Sequence, residues 1–189
     1  MSRRDLMVDI ETLGTGVDAT IFQISAAIFD ITTGKVSASF NELADISKGD
    51  LNADGGTLQW WLSTDKELLN TLLNKGTLSP DELLKSFYEW IESMRLINHK
   101  DFYFWGNGIL FDNAMIKHQF EKKGLNYPVY YRNDRDVRTI VELASQKLNI
   151  SVNDLKKQFD DESLTKHNAM DDVTYQIKLV HFCYQALMN

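Results

Sequence analysis

Met7-Val8-Asp9-Ile10-Glu11-Thr12 is the stretch from which the rest of the chain can be read. Leu6 to Ile10 reads as a short apolar strand into which two acids have been set. Strand side chains alternate faces, so Asp9 and Glu11, two apart, point the same way. Unpaired carboxylates side by side on a core strand resist ionising together, and a divalent cation removes that penalty. Taken alone, one Asp-x-Glu pair reads as a frayed strand end in water. What lies downstream shifts the balance.

Phe102-Tyr103-Phe104-Trp105 reads as another apolar strand, followed by Gly106-Asn107-Gly108 and then Phe111-Asp112. Near the C-terminus, His167-Asn168-Ala169-Met170-Asp171-Asp172 opens an apolar helix pattern. The order is therefore Asp, Glu, Asp, His, Asp, with His167 five residues before Asp172. Here the sequence resembles the DEDDh family of 3′→5′ exonucleases, whose fold is ribonuclease H-like. Within it, the chain is similar to the small single-domain group of phage DexA exonucleases, exonuclease VIII-like nucleases and certain bacterial exoribonucleases. The likeness is carried by Asp9 to Thr15, by Thr57-Leu58-Gln59-Trp60-Trp61, by Trp105 to Gly108 with Phe111-Asp112, and by His167 to Asp172. Each motif is weak by itself; their ordered set is specific.

The resemblance implies an α/β fold with a ribonuclease H-like mixed sheet and helices on both faces, as one exonuclease domain over residues 1–189. It implies hydrolysis of single-stranded or short nucleic acid from a free 3′ end to 5′-mononucleotides, with DNA slightly favoured. Trimming of RNA 3′ ends, as by an exoribonuclease or oligoribonuclease, is the rival within enzymes. A non-catalytic nucleic-acid-binding module is the rival outside them. Phosphodiester hydrolysis needs an activated water, charge stabilisation and support for the departing oxygen, which two divalent ions about 3.5–4 Å apart can supply. Hard oxygen ligands suit Mg²⁺ or Mn²⁺, two per site. By the resemblance, Asp9 bridges both ions, Glu11 and Asp172 complete one shell, Asp112 binds the other, and His167 is the general base.

Each of these residues has an ordinary reading beside the functional one. A histidine before a helix is more often a cap, but the offset from Asp172 favours the catalytic role. The same offset makes Asp171 a surface or supporting group. Thr12, Leu13, Gly14 and Thr15 match the family's turn against the terminal nucleotide and equally read as a plain β-turn. Trp60 and Trp61 are adjacent and cannot face one way; Trp61 is taken as the one lining the cleft, where aromatic faces can stack on bases. Phe111 reads as core or as the floor of the nucleotide pocket. Asp136 reads as a helix cap, and His99, His118 and His181 as structural or surface groups. Many relatives carry asparagine four residues before the third acid; here that place is Gly108, which puts a role for Asn107 in doubt.

Size and charge narrow the field. The chain has 189 residues, 43% hydrophobic and 25% charged, enough for one domain with a proper core. It shows no bilayer-length apolar run, no signal-peptide pattern, and one cysteine, Cys183, read as a buried thiol. These features predict a cytoplasmic protein. A net charge of −7, from 20 basic and 27 acidic residues, argues against a binder of long duplex, which needs a basic face. It leaves room for a nuclease that meets phosphate through metal ions. The only lysine pairs are Lys122-Lys123 and Lys156-Lys157. A homodimer is compatible with the fold, though nothing in the sequence requires one.

The remaining elements follow from pattern. Ile21 to Ile31 predicts a long strand buried on both faces, and Lys35 to Leu43 its hairpin partner. Residues 45–56 read as a loop, and Thr57 to Asn74 as a helix broken near Ser63-Thr64. Ser79-Pro80-Asp81-Glu82 predicts a capped helix start, with Asn98 to Asp101 closing that helix. Helices follow over Ala114–Lys123, along the Val137–Leu148 stripe and from Val173 to Leu187, with an extended piece at Val129–Tyr131. Residues 149–166 read as irregular apart from a turn near Leu155.

Overall fold

The computed structural model describes residues 3–95 and 99–189. Three strands, β1 (Arg4–Thr12), β2 (Ile21–Phe29) and β3 (Val36–Leu43), form an antiparallel meander. β4 (Phe102–Gly106) lies parallel to β1, and β5 (Asp134–Asp136) parallel to β4, giving the order β3-β2-β1-β4-β5. The helices are α1 (Gly55–Thr64), α2 (Lys66–Lys75), α3 (Pro80–Met94), α4 (Asp112–Lys122), α5 (Val137–Leu148), α6 (Val152–Lys157) and α7 (Ala169–Met188).

Alternation along β1 divides the core between the two sheet faces. Leu6, Val8 and Ile10 pack with Phe87 and Ile91 of α3 and with Met115, Ile116 and Phe120 of α4. Met7 packs the other way, with Trp105 and with Val141, Val173, Ile177 and Val180 of α5 and α7. Helices therefore cover both faces of a mixed sheet, as expected. Every residue of β2 is buried, Gln23 and Ser25 included, which is why its apolar residues show no clean alternation. Asp9 and Glu11 share the face of Met7, beneath α7.

Local chemistry places the boundaries. The predicted capping box forms at the start of α3: Ser79 accepts from the Glu82 amide, and Glu82 accepts in return from the Ser79 amide at 2.7 Å. The helix break falls at Asp65, whose carboxylate caps α2. α3 ends at Met94; of its predicted close, Asn98 lies outside the described residues, as does the side chain of His99.

Several elements differ from expectation, α7 among them, which starts at Ala169, four residues early. The extended piece predicted at Val129–Tyr131 is not a strand; pairing to β4 falls instead on Asp134–Asp136, three polar residues without an apolar signal. α4 starts at Asp112, two residues early. α1 starts inside the predicted loop, capped by Asp54. Residues Val152–Lys157 form a helix, α6, docked through the buried Leu155.

Candidate active site

β1 and β4 are parallel, so their C-terminal ends open on the same edge, where α/β sheets commonly hold their sites. Asp9 and Glu11 stand near the end of β1. The chain leaves β4 at Gly106, turns through Gly108 at φ +118°, and enters α4 at Asp112. A Cβ on Gly106 would strike Asn113 Oδ1 and lie 3.3 Å from Asp112 Cβ. Glycine at this position lets the first turn of α4 sit against the strand. Asn113 then pins that turn, donating to the Phe104 carbonyl at 3.2 Å and to Asp134 at 2.7 Å.

The fourth acid arrives on α7. Asn168 caps this helix through a bond from the Met170 amide, and Asp172 lies in its first turn. The amide of His167, which has φ +65°, donates to Asp172 Oδ2 at 3.1 Å. That bond is the physical content of the five-residue offset. Asp171 accepts from the Thr165 amide at 3.1 Å and does not line the cavity. One turn on from Asp172, the buried Gln176 donates from Nε2 to Asp9 Oδ1 at 2.8 Å, while its own Oε1 lies buried without a partner.

Asp9, Glu11, Asp112, His167 and Asp172 all line one cavity of about 660 Å³, together with Phe111. Carboxylate oxygens of Asp9, Glu11 and Asp172 lie within 4.8 Å of one another. Burial, reinforced by Asp112 and Asp172, holds the Asp9 carboxyl well above the usual range. Burial, then Asp9, Asp172 and Asp112, pushes Glu11 up to about 10. Asp112 rises to about 7, chiefly through burial. Asp172 is raised by burial too, against the pull of the His167 amide. Among the described residues, none of the four makes a salt bridge. Asp5, on the same strand and fully buried, is by contrast paired with Arg3 at 2.7 Å and with Trp105 Nε1 at 2.7 Å. A cluster of oxygen donors whose ionisation is opposed by burial and by one another fits hard divalent cations.

A second cavity of about 580 Å³ adjoins the first across Ile10, Glu11 and Phe111, and is bounded by Thr12, Thr15, Trp60 and Asp54. Both tryptophans line this space, Trp61 as expected and Trp60 beside it, but they are exposed to very different degrees. Trp61 is 1% exposed, held by a bond from its Nε1 to the Thr12 carbonyl at 3.1 Å and edge-on to Phe22. Trp60 is 42% exposed and meets the His167 ring edge-on at 4.9 Å. The roughly 100° step between helical neighbours turns one inward and one to the cleft, but sequence does not say which.

Leu13 is corrected as a substrate contact. Its side chain is buried against Phe22 and Trp61, and its amide and carbonyl are engaged by Thr20 and Asp54. Gly14 is a packing position, since a Cβ there would lie 3.0 Å from both Ala19 Cβ and Asp54 Oδ2. The Thr12 hydroxyl donates to the Gly14 carbonyl at 2.7 Å, and the Thr15 amide to Asp54 Oδ2 at 2.9 Å.

Sequence reasoning passed over Asp54, hidden in an apparent loop, and Gln176, although its place four residues after Asp172 puts both on one helix face. Asn107 lines the acidic cavity. Asp136 caps α5, as expected, by accepting from the Thr139 amide at 2.9 Å. His118 sits 3.1 Å from Asp18, and His181 Nδ1 lies 2.9 Å from the Ile31 carbonyl, both away from the acids.

Residues 4–184 match the family model described as the 3′-5′ exoribonuclease Rv2179c-like domain. The chain belongs to this family. The match is to a domain described as a 3′-5′ exoribonuclease, in keeping with the DEDDh resemblance. No curated protein sequence matches it. Among solved structures, cell-death related nuclease 4 superposes with a TM-score of 0.71 at 13% identity, over 97% of this chain and 64% of that one. The nuclease domain of 3′hExo, a DEDDh family member solved with rAMP, gives 0.66 at 13% identity, over 97% and 92%. The zinc-bound E. coli ExoI–ssDNA complex gives 0.65 at 17% identity, over 95% and 40%. The Rv2179c-like chain therefore spans less than two thirds of the first and third of these proteins. At such identities the likeness is one of fold, and the fold is that of ribonuclease H-like exonucleases.

Proposed function

We propose that this Rv2179c-like domain removes 5′-mononucleotides from the 3′ end of single-stranded or short nucleic acid, with RNA the primary substrate. The observation that carries this reading is the cluster of four carboxylates, none of them in a salt bridge, around the ends of β1 and β4. The family's description as exoribonucleases supports RNA over the slight DNA preference expected from resemblance. Asp9, Glu11 and Asp172 would hold one divalent ion, with Asp9 and Asp112 holding a second; Mg²⁺ and Mn²⁺ suit such donors. When bound, such ions supply polarisation of the phosphoryl oxygens and charge for the attacking and leaving oxygens.

The chain's own residues do the rest. His167 takes the proton from the attacking water. The water oxygen bonds to phosphorus, the bond to the 3′-oxygen of the preceding nucleotide breaks, that oxygen takes a proton from solvent water, and a 5′-mononucleotide leaves. Gln176 fixes the Asp9 carboxylate by one oxygen. The second cavity receives the terminal nucleoside, with the exposed face of Trp60 available for stacking.

The test uses matched RNA and DNA oligomers labelled at either end, with Mg²⁺, with Mn²⁺ and with EDTA. The expected result is immediate release of the 3′ label as mononucleotide, faster from RNA and abolished by EDTA. Release from the 5′ end first, or internal fragments, would contradict the proposal.

A further inference from the structure

Two lysine pairs stand out in an acidic sequence, and the fold treats them differently. Lys122 and Lys123 are neutralised: Lys122 lies 2.7 Å from Asp18, and Lys123 pairs with Asp81 at 2.5 Å. Lys156 and Lys157 instead line the acidic cavity, joined there by Lys166. Among the described residues Lys156 and Lys166 make no salt bridge, and Lys157 only reaches Asp154 at 4.0 Å. Two acids share this rim. Asp161 is taken by Lys178 at 2.9 Å and by Ser163, leaving Asp160 as the remaining carboxylate.

The backbone that carries Lys156 and Lys157 is held in place. Leu155 is fully buried and anchors α6, and the Tyr175 hydroxyl of α7 donates to the Lys156 carbonyl at 3.2 Å. Fixing the backbone directs the two following side chains to the cavity. Two unlike spaces meet at Glu11: one bounded by Trp60, Thr12 and Thr15, the other lined by all four acids and rimmed by lysines. With a terminal nucleoside in the first and the scissile phosphate at the acids, the second space is there for the strand to continue over. Ammonium groups there meet its next phosphate.

We propose that Lys156, Lys157 and Lys166 form a phosphate-binding rim that holds the linkage one nucleotide 5′ of the bond being cut. The inference rests on the exonuclease reading and adds a substrate requirement to it: a charged phosphodiester upstream of the scissile one. It also explains how a chain of net charge −7 engages a polyanion, by concentrating uncompensated cations at the site itself.

The test compares two trinucleotides, one natural and one whose linkage 5′ of the scissile bond is a neutral methylphosphonate. The intact protein should prefer the charged form about tenfold or more in kcat/KM, as a charge-assisted contact warrants. A Lys156→Ala/Lys157→Ala/Lys166→Ala variant should lose that preference, whereas Lys35→Ala, an exposed lysine far along the chain, should keep it. Equal preference in wild type and triple variant, or none in wild type, would overturn the rim. Anisotropy with fluorescent forms of both trinucleotides, in Asp9→Asn protein with and without the rim changes, repeats the comparison without turnover. If neither trinucleotide is hydrolysed, the exonuclease reading fails by itself and the binding comparison still decides the rim.

Discussion

At the scale of single residues, the site is defined by what its carboxylates lack. Asp5 and Asp9 lie on one strand and one face, yet Asp5 is matched by Arg3 and Trp105 whereas Asp9 has only the amide of Gln176. A stability-driven fold would treat both alike. His167→Ala should lower kcat by about 10²–10⁴-fold, the usual range for a general base, while Mn²⁺ affinity measured by calorimetry changes little. Equal loss of both would remove the base role. The two tryptophans should separate cleanly. Trp61→Ala should cost about 3–5 kcal/mol of stability, as removal of a large buried ring does, and Trp60→Ala should leave the melting curve near wild type while raising KM. The reverse pattern would contradict their assignment. The four acids and the histidine could be singled out by residue type and by an order matching the family, and the fold brings all five to one cavity. The tryptophans could not be told apart, since adjacency alone cannot say which face of α1 meets the core.

At the scale of elements, the strand and helix ends do the positioning. β1 was readable from alternation, α3 from its capping box, and α7 from its apolar stripe. β5 was not, because three polar residues become a strand only through pairing with β4. The start of α4 was missed by two residues for a related reason: Phe111 makes no side-chain cap bond, so no cap signal marks it. What sets that start is Gly106, against which Asn113 and Asp112 close. Gly106→Ala should therefore displace Asp112, costing about 1–3 kcal/mol for overpacking and more activity than stability. Thermal melts beside turnover rates would check this. An active Gly106→Ala enzyme with wild-type kcat would show that the close approach is dispensable.

At the scale of the whole molecule, charge and fold are coupled through the site. No helix among the described residues is long and apolar enough to cross a membrane. Glu11 and Asp112 hold their protons up to about 10 and about 7 respectively, against ordinary values near 4. Between these limits the folded state binds more protons than the unfolded one, so in EDTA stability falls as pH rises through this window. Melting temperature should drop between pH 5 and pH 8 more in wild type than in Glu11→Gln, and Mg²⁺ should shrink the wild-type drop by binding the ionised form. An identical drop in both proteins would contradict the assignment of strain to this cluster. The measurement that tests the central claim most directly pairs Mn²⁺ calorimetry with 3′-end turnover for wild type and Asp9→Ala. The account predicts that Asp9→Ala stays folded, binds Mn²⁺ more weakly and releases no mononucleotide. Turnover by folded Asp9→Ala at a rate near wild type would contradict it.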